Sequence, residues 1–165
     1  MSRALELARQ GQGKVSPNPM VGCILVREGE IIGEGYHEAY GGPHAEVMAY
    51  KNAIMEPVDA TVYVTMEPCS IFAKTPPCTN FLIENSAAEV YVAMLDPNPE
   101  VNGNGVAELV HAGIPVKTGI LKEEAECLNR GFTKIMKEGR PWVIAKAAQS
   151  ANGFLGIDSD SQTWI

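Results

Sequence analysis

The chain predicts an α/β fold, a sheet covered by helices on both faces. Two observations carry that expectation. Short β-rich runs alternate with segments of helical spacing along most of the sequence, the pattern of strands joined by crossover helices. At 165 residues, 45% apolar and 20% charged, the chain suits one soluble domain, large enough to bury roughly 70% of its unfolded surface. No internal repeat and no low-complexity linker interrupts it.

Each element has a local reason. Leu5 and Ala8, with charges between them, predict a first helix over residues 4–10, stopped by Gly11 and Gly13. After the loop SPNP, the runs MVGCILV and EIIGEGYH flank Arg27-Glu28-Gly29 and read as a hairpin. Val47, Ala49 or Tyr50, and Ile54 space a helix over residues 44–55, ending before Pro57. TVYVTM is a strand, and CTNFLIENSA a helix whose start is marked by two prolines. EVYVAML is the next strand, DPNPEVNGNG a turn region, GVAELVHAG a short helix and IPVKTGI a strand. Residues 123–139 read as one closing helix, and residues from Arg140 begin as a further strand that fades into a polar run.

The charge of −7 argues against a nucleic-acid-binding face, which needs basic residues. It does not exclude a small anion, because one lysine holds a phosphate inside an acidic protein. Neither a signal-peptide core nor a membrane-length apolar run is present, so no membrane partner is expected and the chain is read as cytoplasmic.

The stretch EPCSIFAKTPPC holds two cysteines, Cys69 and Cys78, each after a proline. A disulfide, redox work, core packing and metal binding all use thiols, and a reducing compartment disfavours the first. His44, at a helix start, supplies a third donor type. One imidazole and two thiolates make three zinc ligands with the fourth tetrahedral position open to water, the arrangement of a catalytic site. Helix N-termini favour both thiolates. Glu46, two positions after His44, would sit beside that water as general acid and base without ligating. His-x-Glu followed by Pro-Cys-x-x-Cys is the signature of zinc deaminases. His44-Ala45-Glu46 and Pro68-Cys69 match it, whereas Cys78 stands nine positions after Cys69 instead of three. Cys23 and Cys127 are assigned to packing and His111 to a helix end.

The widened spacing ending in T-P-P-C resembles the deaminase domain of the bifunctional riboflavin-biosynthesis deaminase/reductase family. SPNPMVGCILV, GGPHAEV, YVTMEPC, VAMLDPNPEVNGNG and LNRGFTKIMKEGRPWV resemble it as well, in order, over essentially the whole chain. The resemblance implies a three-layer α/β/α sandwich of cytidine-deaminase type, with a mostly parallel or mixed sheet of about five strands. It implies one Zn2+ per chain and zinc-dependent hydrolytic removal of the 2-amino group from 2,5-diamino-6-ribosylamino-4(3H)-pyrimidinone 5′-phosphate, giving 5-amino-6-ribosylaminouracil 5′-phosphate. By the same resemblance Asn18 and His37 contact the pyrimidine, and Ser70 lies in the substrate site. Lys74 and Thr75 hold the ribose phosphate, and Asp96 and Asn98 shape the far rim. Taken alone, Asn18 builds a turn, His37 caps a strand, Lys74 is a solvated charge and Asp96-Pro97-Asn98-Pro99 is a turn.

Two departures stand out. Where the family usually has a histidine after Cys69-Ser70, this chain has Ile71, which offers no hydrogen bond. Near the C-terminus, where the family shows an aspartate and a basic residue, it has Asn152 and Phe154. The expected organisation is a deaminase domain over residues 1–140 and the beginning of a truncated reductase-like segment over 141–165, with no NADPH site. Relatives commonly self-associate, so a dimer or tetramer is expected. A deaminase of another free or phosphorylated heterocycle and a non-catalytic zinc-folded interaction domain are the alternatives.

Overall fold

The structure, a computed structural model, describes residues 1–72 and 76–153. In chain order its elements are α1 (Ser2–Arg9), β1 (Gly22–Arg27), β2 (Glu30–Tyr36), α2 (Ala45–Lys51), β3 (Thr61–Met66), α3 (Cys78–Glu84), β4 (Glu89–Met94), α4 (Asn104–His111), β5 (Val116–Thr118), α5 (Lys122–Leu128) and α6 (Arg130–Glu138). The strands form one mixed sheet in the order β2-β1-β3-β4-β5. β1 pairs antiparallel with β2 and β3, while β3–β4 and β4–β5 are parallel. The expected layers are present. α2, α3 and α4 pack on one face of the sheet, and α1 and α5 on the other.

Strand alternation assigns the side chains to those layers. Cys23 and Leu25 of β1 join Val62, Val64, Val90 and Val92 in the core under α2, α3 and α4. Ile24, between them, packs with Ala4 and Leu7 of α1. Glu28 and Gly29 turn the β1–β2 hairpin with φ of 52° and 86°, the positive-φ pair that two-residue hairpins require. Gly35 of β2 allows close packing of α2 on the sheet. A Cβ there would overlap the backbone nitrogen of Ala49, so α2 lies directly on the strand.

Several boundaries differ from the expectation. α2 ends at Lys51, not near residue 55. Ile54, which lent the helical spacing, is 80% exposed, and its N–H donates to Ile32 O at 2.8 Å. Asn52 Nδ2 ties the exit to Glu34 O at 3.0 Å, so the chain leaves the helix along the edge of β2. The closing helix is two helices, broken at Asn129 (φ −100°, ψ 20°). The reason is tertiary: buried Asn129 accepts the Met20 N–H at 2.8 Å and donates to Met20 O at 2.9 Å.

Residues 140–150 form no strand. Trp142 instead lies against Arg130 and Lys134 of α6, with the cations 5.1 and 6.0 Å from the ring centre, and Val143 and Ile144 are exposed. A β-rich segment without a partner edge has nowhere to place its backbone bonds. Cys127, expected to pack, is exposed, whereas Cys23 is buried. Among the described residues, no helix is long and apolar enough to cross a membrane.

Gly35→Ala is expected to destabilise the protein by about 1–3 kcal/mol, because the added methyl meets backbone and not a side chain that can turn away. A lowered thermal melting point measures it, and an unchanged one would contradict this packing.

Candidate metal centre and its cavity

α2 follows β2, packs on β2 and β1 and leads into β3, which points the same way as β2, while α3 leaves from the far end of β3. Both helices therefore begin at the carboxyl end of β3. His44 is the N-cap of α2, with extended backbone (φ −74°, ψ 165°). Cys78 is the first residue of α3, and Cys69 lies just beyond the end of β3. His44 Nδ1 is 3.1 Å from Cys78 Sγ and 3.5 Å from Cys69 Sγ, and the Cys78 N–H donates to Cys69 Sγ at 3.3 Å. The three donor atoms all lie within 4.8 Å of one another. On a tetrahedral zinc ion, with bonds of about 2.0–2.3 Å, ligand atoms stand about 3.5 Å apart, and two sulfurs with an imidazole suit that ion.

The electrostatics agree with that fit. The hydrogen bond between the two sulfurs holds the Cys69 thiol well below its usual range and, with burial, pushes Cys78 up. The hydrogen bond to Cys69 raises His44. Metal ligation needs both thiols deprotonated, so binding of a divalent cation would release protons from this group. Glu46, in the first turn of α2, is 3% exposed. Burial raises its carboxyl, His44 opposes that shift, and Glu46 hydrogen-bonds with the Cys78 thiol. It stands beside the three-donor group rather than within it.

A cavity of about 360 Å³ opens over the cluster, a size that suits a small heterocycle. His44, Glu46 and Cys69 border it, Asn18 and His37 stand on one side, and Asp96 and Asn98 on another. Ile71, Val101, Phe132 and Met136 add apolar wall. Ser70 borders a separate open depression together with Ile71, Asn104 and His111. Lys74 and Thr75 lie outside the described residues.

His37 is locked in one tautomer by its partners. Pro43 O lies 2.9 Å from Nδ1 and can only accept, so Nδ1 carries the proton. Burial keeps the ring neutral by lowering its pKa. Nε2 then accepts from Asn18 Nδ2 at 3.0 Å, which orients the Asn18 amide and leaves its oxygen as the free acceptor. Met20, two residues on, is held by Asn129, and the helix beginning after Asn129 carries Phe132 and Met136 to the cavity. Sequence reading missed Asn129, Phe132, Met136 and the buried Glu67. Only the break of helical period at Asn129-Arg130-Gly131 hinted at the first.

A family model described as the cytidine and deoxycytidylate deaminase zinc-binding region matches residues 1–94. Riboflavin biosynthesis protein RibD of Escherichia coli (strain K12) is 47% identical over 165 residues, covering 100% of this chain and 45% of the relative. RibD of Aquifex aeolicus (strain VF5) is also 47% identical, over 100% of this chain and 46% of its own length. Among solved structures, Acinetobacter baumannii RibD, form 1, superposes with a TM-score of 0.94 at 44% identity, covering 99% of this chain and 46% of that one. The diaminohydroxyphosphoribosylaminopyrimidine deaminase/5-amino-6-(5-phosphoribosylamino)uracil reductase of Thermotoga maritima gives 0.87 at 44% identity, covering 92% and 44%. The chain spans less than half the length of the curated relatives it matches.

Burial pushes Asp96 up to about 6, the Asn98 N–H opposes the shift, and the negative charge of Glu67 adds to it. An unfolded aspartate titrates near about 3.9, so folding favours the protonated acid. That contribution is complete below about pH 4 and is lost as pH rises through about 6. Asp96→Asn cannot ionise and is expected to exceed the parent in stability by about 1 kcal/mol at pH 7.5, after discounting for partial exposure. The difference should shrink toward zero as pH falls to about 4. Thermal melts across that range decide it, and a pH-independent difference would refute the raised pKa.

Proposed function

The chain belongs to the family carrying the cytidine and deoxycytidylate deaminase zinc-binding region, and from that premise we propose that it hydrolytically deaminates 2,5-diamino-6-ribosylamino-4(3H)-pyrimidinone 5′-phosphate. The observation that carries this reading is the convergence of His44, Cys69 and Cys78 beside a buried Glu46 at the border of a heterocycle-sized cavity. The likeness to RibD proteins at 44–47% identity supports the substrate class. All the cavity residues precede Arg140, which supports residues 1–140 as the deaminase unit.

His44, Cys69 and Cys78 would hold the zinc ion, which supplies Lewis-acid activation of a water at its open position. Glu46, buried beside the three donors, would act as the group that accepts a proton from the attacking water and donates one to the departing amine, which leaves as ammonia. Asn18, oriented by neutral His37, offers its oxygen to an N–H on the ring edge. Asp96, Asn98 and the apolar wall confine the heterocycle, and the reading keeps Lys74 and Thr75 as the phosphate contacts. The reading keeps self-association as a dimer or tetramer as its expectation.

Ammonia release from the zinc-loaded protein with this substrate tests the proposal. Glu46→Gln is expected to lower kcat by about 10²–10⁴-fold while keeping one zinc per chain. Loss of the metal together with the activity would contradict the proton-transfer role.

A second reading, a zinc deaminase of another free or phosphorylated heterocycle, is favoured by Ile71. It stands on the cavity wall, 37% exposed, and offers no polar group to a ligand. Ile71→His is expected to raise kcat/KM for the riboflavin precursor by about tenfold, the worth of one added hydrogen bond. Unchanged turnover would remove the reason for invoking this position.

A further inference from the structure

We propose that Glu67 is a positioning residue for the substrate site: its buried carboxylate ties the backbone carrying Asp96 and Asn98 to the strand end carrying Cys69. Glu67 follows β3 directly, is 4% exposed, and extends the parallel ladder by donating its N–H to Met94 O at 2.9 Å. Among the described residues it forms no ion pair. Oε2 accepts the N–H groups of Asp96 at 3.1 Å and Gly103 at 3.0 Å, and Oε1 accepts that of Val106 at 3.1 Å.

These donors make the arrangement more than a structural filler. α4 begins at Asn104, and its N-cap Gly103 sits at φ 82° and has no side chain with which to cap the helix. Unpaired N–H groups at a helix start need an acceptor, and the positive end of the helix dipole favours a carboxylate there. Glu67 supplies this cap from another strand, and the same oxygen that takes the Gly103 N–H takes that of Asp96. The first turn of α4 lies so close to Glu67-Pro68 that a Cβ on Gly105 would overlap Pro68 O. Asp96 passes the constraint on, since its Oδ1 accepts the Asn98 N–H at 2.8 Å. The rim of the cavity thereby inherits its position from a residue two places before a metal ligand.

The chemistry allows no close substitute. All three partners are donors, distributed over both oxygens. A glutamine would aim an NH2 group at one of them, and an aspartate is one methylene too short. The role concerns the rim, and its kinetic part rests on the deaminase reading proposed above.

Glu67→Gln tests it, with zinc content, amide hydrogen exchange and kinetics read on the zinc-loaded protein. Exchange should quicken at the amides of Asp96, Gly103 and Val106 but not in the β3–β4 ladder. KM should rise on the order of tenfold with kcat nearly unchanged, and one zinc per chain should remain. In the double variant Glu67→Gln/Asp96→Asn, KM should match the weaker-binding single variant instead of multiplying the two effects. Unaltered exchange at these three amides, or zinc lost in step with activity, would overturn the proposal. Absence of turnover in the parent protein, with the exchange difference present, would count against the deaminase reading and leave the positioning role supported. If Glu67→Gln does not fold, Val106→Pro removes one donor in a first turn that tolerates proline. Faster exchange at Asp96 with a smaller rise in KM would then support the proposal, and parent-like values would overturn it.

Discussion

Everything in the site depends on three backbone ends meeting at the carboxyl edge of β3. β2 and β3 both run antiparallel to β1 and so point the same way, and α2, which crosses from β2 to β3 while packed on β2 and β1, begins at their shared carboxyl end. A helix that follows β3 begins there as well. His44 and Cys78, at those two helix starts, and Cys69, just past the strand, are brought to within 4.8 Å as a consequence of chain direction. Open α/β sheets commonly place ligands beyond the carboxyl ends of their strands for this reason.

Close packing of the layers sets how well those ends are held. Gly35 lets the backbone of α2 rest on β2, and Ala45, Ala49 and Tyr50 bury its inner face against β1 and β3. Since α2 is only Ala45–Lys51, too short to persist alone, its first turn is held by tertiary contact. Glu46 benefits directly. Its carboxyl remains buried beside the cysteines because the helix cannot move outward to hydrate it, and burial is the largest influence on its protonation.

Polar side chains that join distant backbone segments build the cavity around the metal cluster. Asn129 spans the Met20 peptide on both sides, His37 orders Asn18 through a neutral ring, and Glu67 gathers three amides. Each is buried and satisfied, so removing one leaves donors or acceptors without their protein partners. The cavity is consequently pre-formed, and its shape belongs to these contacts more than to the loops considered individually.

Residue types and motif made the candidate ligand set legible in the sequence, and the hairpin at Glu28-Gly29 and the alternation of strands with helices are local properties. That His44 meets Cys69 and Cys78, 25 and 34 residues away, was decided by the fold. Helix ends at Lys51 and Asn129 escaped sequence reasoning because the bonds that stop those helices go to Glu34, Ile32 and Met20. The β-rich segment near Trp142 showed strand propensity without a strand, for want of a neighbouring edge. Only tertiary structure decided what Glu67 and Asn129 do. Their partners lie 29, 36 and 39 residues away for the first and 109 for the second, distances over which spacing carries no signal and only the folded backbone brings donor to acceptor.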